Sequence, residues 1–265
     1  MADSAGSPDR TPGVPALDRA LTLLECLAQS RRGFSVSELS RRLGLPKSSV
    51  HLILRTLERR GYLQRQAAGG RYRFGLKLVA LGQQALDGMD LRDEARPVLA
   101  SLARSTGLTV HLGVLEQGEI VVIERIESSA PIRVVSWVGR RLPVHSTATG
   151  KALMAFLPEA ERSEEMHGAP LSRPTDRTIA TVPELERELA RVRQLGYAVC
   201  DEEHEAGVRA VGAPILDAQG HAVAAVSVVG TVAQVPRERL QELGREVSAS
   251  AAEIARRHHR VYALA

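Results

Sequence analysis

The segment 35–63 constrains the fold more than any other part of this 265-residue chain. Ser35 and Glu38 have the spacing of a capping box, in which each side chain bonds to the backbone amide of the other residue at a helix start. Gly44 interrupts the apolar pattern that follows. Pro46 is tolerated at the start of a second helix because the N–H that it lacks would have no partner there. The segment therefore predicts two short helices joined by a tight turn.

The second helix separates an apolar face from a polar face. Four apolar residues recur at helical spacing and are expected to face a core: Val50, Ile53, Leu54 and Leu57. The opposite face carries side chains suited to bases or adjacent phosphates: Lys47, Ser48, Ser49, His51 and Arg55. Residues 62–65 and 71–74 then predict two strands joined by a loop. Together these elements predict a winged helix-turn-helix, with double-stranded DNA as its partner.

The distribution of charge separates this module from the rest of the chain. Residues 18–75 contain twelve Lys or Arg and four Asp or Glu, whereas residues 76–265 carry a net charge of −3. A basic module on a mildly acidic body is typical of phosphate binding by the module alone. It disfavours the alternative, a helical hairpin used for protein contacts. The residues expected to bind mainly phosphates are Arg41, Arg42, Arg65, Arg71 and Arg73.

Length and composition favour two domains and argue against a membrane protein. The chain is 44% hydrophobic and 25% charged, as soluble globular proteins are, and no segment approaches the roughly 18 apolar residues of a membrane helix. Its two cysteines, Cys26 and Cys200, argue against a disulfide framework and favour a cytoplasmic location. We expect a disordered tail over 1–15, the DNA-binding module over 16–75, a linker helix over 76–89 and a second domain over 90–265.

The second domain is expected to be an α/β domain built on a sheet. Its apolar segments predict strands at 109–115, 120–126, 132–138, 197–200, 210–216 and 221–229, and helices at 91–105, 183–195 and 235–261. Strands and helices alternate too irregularly for a Rossmann fold, and no Gly-x-Gly-x-x-Gly motif is present. The whole chain is thus predicted to be α+β, with a mixed, mainly antiparallel sheet flanked by helices. Such a domain can hold a small molecule between the sheet and its covering loops.

Three separated motifs in this order resemble those of the IclR family of bacterial transcription regulators. They are the winged module, the sequence LPVHSTATGKALMA at 142–155, and the sequences GYA, DEEH and GVRAVGAPI at 196–198, 201–204 and 207–215. The resemblance extends over about 17–261 and implies a GAF-like effector-binding domain and a homodimer or homotetramer. It further implies a ligand-responsive regulator, most often a repressor of a catabolic operon, that reads a pseudo-palindromic operator and needs no cofactor.

The resemblance also implies the position of the ligand pocket. Family members that bind small carboxylates such as glyoxylate use an Asp, a Cys and two Ser. The matching positions in this sequence are Cys200, Ala210, Ser227 and Val229, and only Ser227 agrees. A small hydrated acid would leave polar atoms without partners there. We therefore expect a larger or more apolar effector, such as an aromatic acid. Its carboxylate is expected at exposed helix amides, those of Ala148, Thr149 and Gly150.

An enzyme remains the alternative from a different class. Cys200 lies close in sequence to His204, so a GAF-like domain could use it as a redox or hydrolytic nucleophile. Paired Cys and His-x-x-x-His spacings are absent, and we expect no catalytic residue, no metal site and no enzyme activity. The segment 202–205 is interpreted as a solvated loop. Trp137, Arg140 and Arg141 line either the pocket or the tetramer interface.

Overall fold

The computed structural model of the protein describes residues 14–30, 32–128, 130–166 and 171–262, with the backbone alone for 166 and 259–262. The chain divides into two compact units between Gly88 and Met89. Most of the predicted tail over 1–15 lies outside the described residues, and Pro15 begins the first helix.

The first unit contains helices and a two-stranded antiparallel hairpin. Its elements are α1 (Pro15–Ala28), α2 (Val36–Leu43), α3 (Lys47–Arg59), β1 (Leu63–Arg65), β2 (Tyr72–Phe74) and α4 (Leu76–Asp87). The Ser35 hydroxyl accepts from the Glu38 amide at 3.3 Å, and Glu38 Oε2 accepts from the Ser35 amide at 2.7 Å. Gly44 ends α2 in the left-handed conformation, and Pro46 is the N-cap of α3. The predicted helix-turn-helix is confirmed.

The core of the first unit is apolar. Leu23 of α1, Leu39 of α2 and Leu54 of α3 are fully buried in one cluster, which Tyr72 of β2 joins. Backbone hydrogen bonds between Phe34 and Tyr72 attach the hairpin to the segment before α2. This packing fixes α3 by one face and leaves its other face in solvent, as the apolar periodicity predicts.

The second unit is built on a six-stranded sheet. Its strands are β3 (Thr109–Glu116), β4 (Glu119–Ile126), β5 (Arg141–Pro143), β6 (Ala198–Asp201), β7 (Val208–Leu216) and β8 (Ala222–Thr231). Their order is β5-β4-β3-β8-β7-β6, and every pair among these described strands is antiparallel. Its helices are α5 (Asp90–Thr106), α6 (Ala148–Ala155), α7 (Glu159–Met166), α8 (Val182–Leu195) and α9 (Leu240–Tyr262).

The helices of this unit cover the sheet at different places. α6 packs on β7 and β8 and against α8, and all eight of its residues are buried. α5 and α9 pack against each other and against β3 and β7. Burial on all sides explains why α6 is rich in Ala and Gly, since small side chains let its backbone lie close to the sheet.

The prediction of a strand at 132–138 is wrong. Ile132, Val135 and Trp137 are exposed, and the segment has no regular secondary structure. The edge of β4 is already occupied, because β5 pairs with it over Arg141–Pro143 and the Gly139 amide donates to the Val122 carbonyl. A strand without a free edge to pair with leaves its backbone groups unbonded. Residues 130–140 are called the cover segment below.

We predict that Gly150→Ala destabilises the second unit by about 1–3 kcal/mol, as overpacking does. A Cβ atom at this position would lie 2.2 Å from the Val144 carbonyl oxygen, so the backbone of α6 must shift. Thermal unfolding measures the effect. Gly82→Ala is the control, because a Cβ atom added at Gly82 would meet no described atom within 4 Å and alanine favours a helix. An unchanged melting temperature for Gly150→Ala would contradict the prediction.

Candidate functional site

The first candidate site is the solvent face of α3. Lys47, Ser48, His51 and Arg55 are exposed and Ser49 is partly exposed. Pro46 makes no side-chain cap, so the first amides of α3 point into solvent beside these side chains. Backbone amides at a helix start, together with hydroxyl, ammonium and guanidinium donors, form a surface that can bind phosphate oxygens and base edges.

The remaining predicted phosphate contacts divide into two groups. Arg41, Arg65 and Arg73 are exposed, and Arg42 is exposed with its guanidinium 4.8 Å from the centre of the Phe34 ring. These four positive charges belong to the same compact unit as α3.

Arg71 differs from these residues because it has partners inside the unit. It donates to Glu38 at 2.7 Å and to the Gly33 carbonyl at 3.2 Å. The pKa of Glu38 falls to about 2, mainly because the Ser35 amide and hydroxyl donate to it, with Arg71 adding to the effect. Arg71 therefore ties the hairpin to the start of α2. Sequence reasoning missed this contact because it joins residues 33 positions apart.

The second candidate site is a small cavity in the second unit, between the sheet and α6. Six of the seven predicted ligand residues line it: Ala148, Thr149, Cys200, Ala210, Ser227 and Val229. Gly150 does not, because it packs against the backbone of Val144. The enclosed volume is about 60 Å³. The wall is mostly apolar. Its polar side chains include the hydroxyl groups of Thr149 and Ser227, the imidazole of His111 and the guanidinium of Arg140.

The hydroxyl groups of Thr149 and Ser227 form a polar patch where α6 meets the sheet. Thr149 Oγ1 donates to Ser227 Oγ at 2.9 Å. Thr147 caps α6 by accepting from the Gly150 amide at 3.1 Å. The amides of Ala148 and Thr149 lie in the first turn of α6, where backbone N–H groups have no acceptor within the helix. An anion placed here would meet two amides and the positive end of a helix.

A neutral histidine faces the same cavity. His111 on β3 lies opposite Ser227 of β8 in the sheet and makes a 2.5 Å hydrogen bond to Ser136 of the cover segment. Burial lowers the pKa of His111 to about 3, and the charges of Arg125 and Arg140 act in the same direction. The imidazole is therefore uncharged at neutral pH. The cover segment is attached to the sheet through it.

Arg140 provides a positive charge at the cavity wall. Its guanidinium lies 5.2 Å from the centre of the Trp137 ring and donates to the Val135 carbonyl at 2.7 Å. Within the described parts of the chain, no Asp or Glu forms a salt bridge with it. The exposed residue Glu205 also lines the cavity, so Arg140 is the group in the wall that can attract an acid.

Some residues of the wall do not follow from the sequence, among them His111, Val134 and His204. His111 can be placed only once the order β3-β8 is known, since its neighbour in space is Ser227, over 100 positions away. The sequence leaves Arg140 at either the pocket or an interface, and the structure places it in the pocket wall.

The structure gives Cys200 no activating base. Its thiol donates to the Ser146 carbonyl at 3.2 Å, and burial is the main reason that its pKa is raised. A protonated, buried thiol is a poor nucleophile. The His204 ring lies 3.5 Å from Ser146 Oγ, and burial lowers its pKa.

A buried ion pair joins two of the elements around the cavity, α6 and the segment that follows β6. Lys151 Nζ on α6 donates to both carboxylate oxygens of Glu203, at 2.6 and 2.8 Å, and approaches Glu188 of α8 at 3.4 Å. The Lys151 side chain is fully buried and Glu203 is 7% exposed. The interpretation of 202–205 as a solvated loop is therefore wrong for Glu203, because α6 supplies a buried cation that the local sequence does not show.

Two family models match this chain. The helix-turn-helix domain of IclR matches residues 16–67, and the C-terminal domain of the bacterial transcriptional regulator IclR matches residues 83–256. The chain belongs to the IclR family. It is a DNA-binding transcription regulator with an effector-binding C-terminal domain, and it is not an enzyme.

Full-length relatives agree with this assignment. The regulator XynR of Escherichia coli is 37% identical over 244 residues, which cover 89% of this chain and 97% of XynR. The transcriptional repressor IclR of Escherichia coli is 31% identical over 246 residues, covering 92% and 90% of the two chains. An IclR homologue from Microbacterium hydrocarbonoxydans, solved in complex with 4-hydroxybenzoate, is 29% identical with a TM-score of 0.74, covering 91% and 99%.

Members of the family respond to ligands. Among the described residues, no helix is both long and apolar enough to cross a membrane.

We predict that Lys151→Met destabilises the second unit by about 3–5 kcal/mol, because it leaves the Glu203 carboxylate buried without a partner. The double variant Lys151→Met with Glu203→Leu should recover most of this loss, since both charges are then removed. Urea unfolding followed by the fluorescence of Trp137, the only tryptophan of the chain, reports on this unit.

Arg191→Met is the matched control. It removes an exposed cation that lies 3.8 Å from Glu188, and exposed pairs contribute about 0–1 kcal/mol. A double variant less stable than Lys151→Met would show that the pair is not the source of the effect.

Proposed function

We propose that this protein represses a catabolic operon and responds to a small aromatic acid. The observation that supports it most is the cavity, whose mostly apolar wall includes one cation, Arg140, that forms no salt bridge among the described residues, and whose one carboxylate, that of Glu205, belongs to an exposed residue. Such a wall matches a ligand that is apolar along most of its surface and anionic at one end.

In the proposed complex with DNA, α3 enters the major groove. Lys47, Ser48, Ser49, His51 and Arg55 contact base edges or adjacent phosphates, while Arg41, Arg42, Arg65 and Arg73 bind mainly phosphates. Arg71 adds a phosphate contact while it stays paired with Glu38. Two copies of the chain would place two α3 helices about one helical turn apart, so the operator would be pseudo-palindromic. The exposed donors of α3 and the basic charge of residues 18–75 support this arrangement.

In the proposed complex with the effector, the carboxylate lies at the amides of Ala148 and Thr149 and the ring lies against Ala210 and Val229. Arg140 adds its charge from the cover segment. The 4-hydroxybenzoate complex of the Microbacterium relative supports an aromatic acid as a ligand class. Replacement of the family's polar pocket residues by Ala210 and Val229 supports it further, because these positions offer a ring apolar contact.

Binding is proposed to move the cover segment. An apolar cavity that holds benzene measures on the order of 150 Å³, whereas the cavity here measures about 60 Å³. Val134 and Arg140 of the cover segment line it, and this segment has no regular secondary structure that resists displacement. Displacement would act on the DNA-binding module as an allosteric signal, typically of about 1–3 kcal/mol.

We predict that 4-hydroxybenzoate changes the fluorescence of Trp137 and binds at least tenfold more tightly than glyoxylate. Arg140→Gln should weaken 4-hydroxybenzoate about tenfold or more, since hydrogen bonds to charged groups contribute about 1.5–3 kcal/mol. Fluorescence titration measures both. Arg133→Gln is the control in the same segment, because Arg133 is an exposed residue paired with Glu127. Tighter binding of glyoxylate or pyruvate would contradict the proposal.

We predict that Arg55→Ala weakens DNA binding and relaxes sequence preference, while Lys47→Ala lowers the slope of log affinity against log salt by about two, one for each copy of α3 on the operator. Binding is measured by fluorescence anisotropy on an operator selected from random duplexes with the wild-type protein. Arg187→Ala removes one exposed charge from α8 and should leave the slope unchanged. A flat salt dependence of the wild-type protein would contradict phosphate binding by this module.

A further inference from the structure

The solvent face of α3 contains one apolar side chain that no contact within the unit explains. Leu52 is 69% exposed, although the other large apolar residues of α3 are buried or half-buried. It lies opposite the face that packs through Val50 and Leu54. Exposing a leucine at this point gives up the stabilisation that its burial would provide, so Leu52 is available to a surface outside the chain.

The surroundings of Leu52 identify the kind of surface. Ser48, Arg55 and Thr56 lie one turn before and after it on the same face, and together they line a shallow groove. The Thr56 hydroxyl donates back to the Leu52 carbonyl at 2.9 Å, so its donor is used within the helix. The groove thus has an apolar centre, Leu52, which is bordered by the donors of Ser48 and His51 and by a net positive charge.

This combination fits a DNA major groove better than a second protein. In that groove, thymine is the base that presents an apolar group, its 5-methyl, next to hydrogen-bond acceptors of the neighbouring bases. Glu58 also lines the groove on α3, and its single negative charge is outnumbered by the positive charges of Arg55 and Arg59. Polyanionic DNA complements those same charges.

We propose that Leu52 reads the 5-methyl group of a thymine in each half of the operator. This inference rests on the proposed insertion of α3 into the major groove and adds to it a residue that sets sequence specificity. Leu52 would favour thymine over cytosine, because cytosine has no methyl group and presents an amino donor instead of a carbonyl acceptor. Arg55 and Ser48 would fix the register by contacts to flanking groups.

The test uses the full-length protein and an operator selected from random duplexes. Each thymine is replaced in turn by deoxyuridine, which pairs identically and lacks only the methyl group. At one thymine in each half of the operator, the replacement should weaken binding about fourfold, the equivalent of about 0.8 kcal/mol for one buried methyl-sized group. Leu52→Ala should bind the two duplexes equally, because the methyl group has lost its contact.

Lys47→Ala is the matched control on the same helix. It should weaken binding to both duplexes by the same factor and keep the fourfold ratio between them. Thermal unfolding of Leu52→Ala should match the wild type, because an exposed side chain adds little to stability. Failure of the variant to bind DNA could then not be assigned to unfolding.

The outcomes separate this inference from the proposed function. Equal binding of thymine and deoxyuridine duplexes by the wild type at every position, or a fourfold ratio retained in Leu52→Ala, overturns the reading by Leu52. An operator without thymine opposite α3 also overturns it. If Arg55→Ala and Lys47→Ala leave DNA binding unchanged, α3 is not the reading helix, and the proposed function and this inference both fail.

Discussion

The ammonium group of Lys151 has no contact with solvent, and the two oxygens of Glu203 lie within 2.8 Å of it. A charge taken out of water needs its partner at hydrogen-bond distance, so the position of α6 is bound to that of the segment after β6. The cavity lies between these two elements. Its shape therefore depends on an ion pair whose members do not line it, although their chain neighbours Thr149, Cys200 and His204 do.

Local rules were sufficient for the DNA-binding unit. The capping box at Ser35, the turn glycine at 44 and the apolar period of α3 each act within a few residues, and the structure forms all three. The sequence also predicted most strands of the second unit and six of the seven ligand residues that line the cavity. Four of them, Cys200, Ala210, Ser227 and Val229, came from a family resemblance. Ala148 and Thr149 came from a helix start with exposed amides.

Long-range pairing limited the remaining predictions. The segment 132–138 has the composition of a strand, but strand formation requires an unoccupied edge, and β5 takes the edge of β4. Glu203 is charged and follows a short strand, which locally predicts solvent, yet Lys151 arrives from another element. The hydrogen bond from Arg71 to Glu38 is likewise not visible in the local sequence. In each case a partner distant in sequence decides the outcome, and a single sequence does not display it.

The wall and the frame of the cavity are made by different residues. Ala210 of β7 and Val229 of β8 present small apolar side chains to the cavity. The buried charges of Lys151 and Glu203 do not line it. Side chains at the wall can be exchanged without breaking the ion pair or the sheet register. The fold therefore allows ligand preference to diverge among descendants of one ancestral regulator while the unit that senses it retains the same architecture.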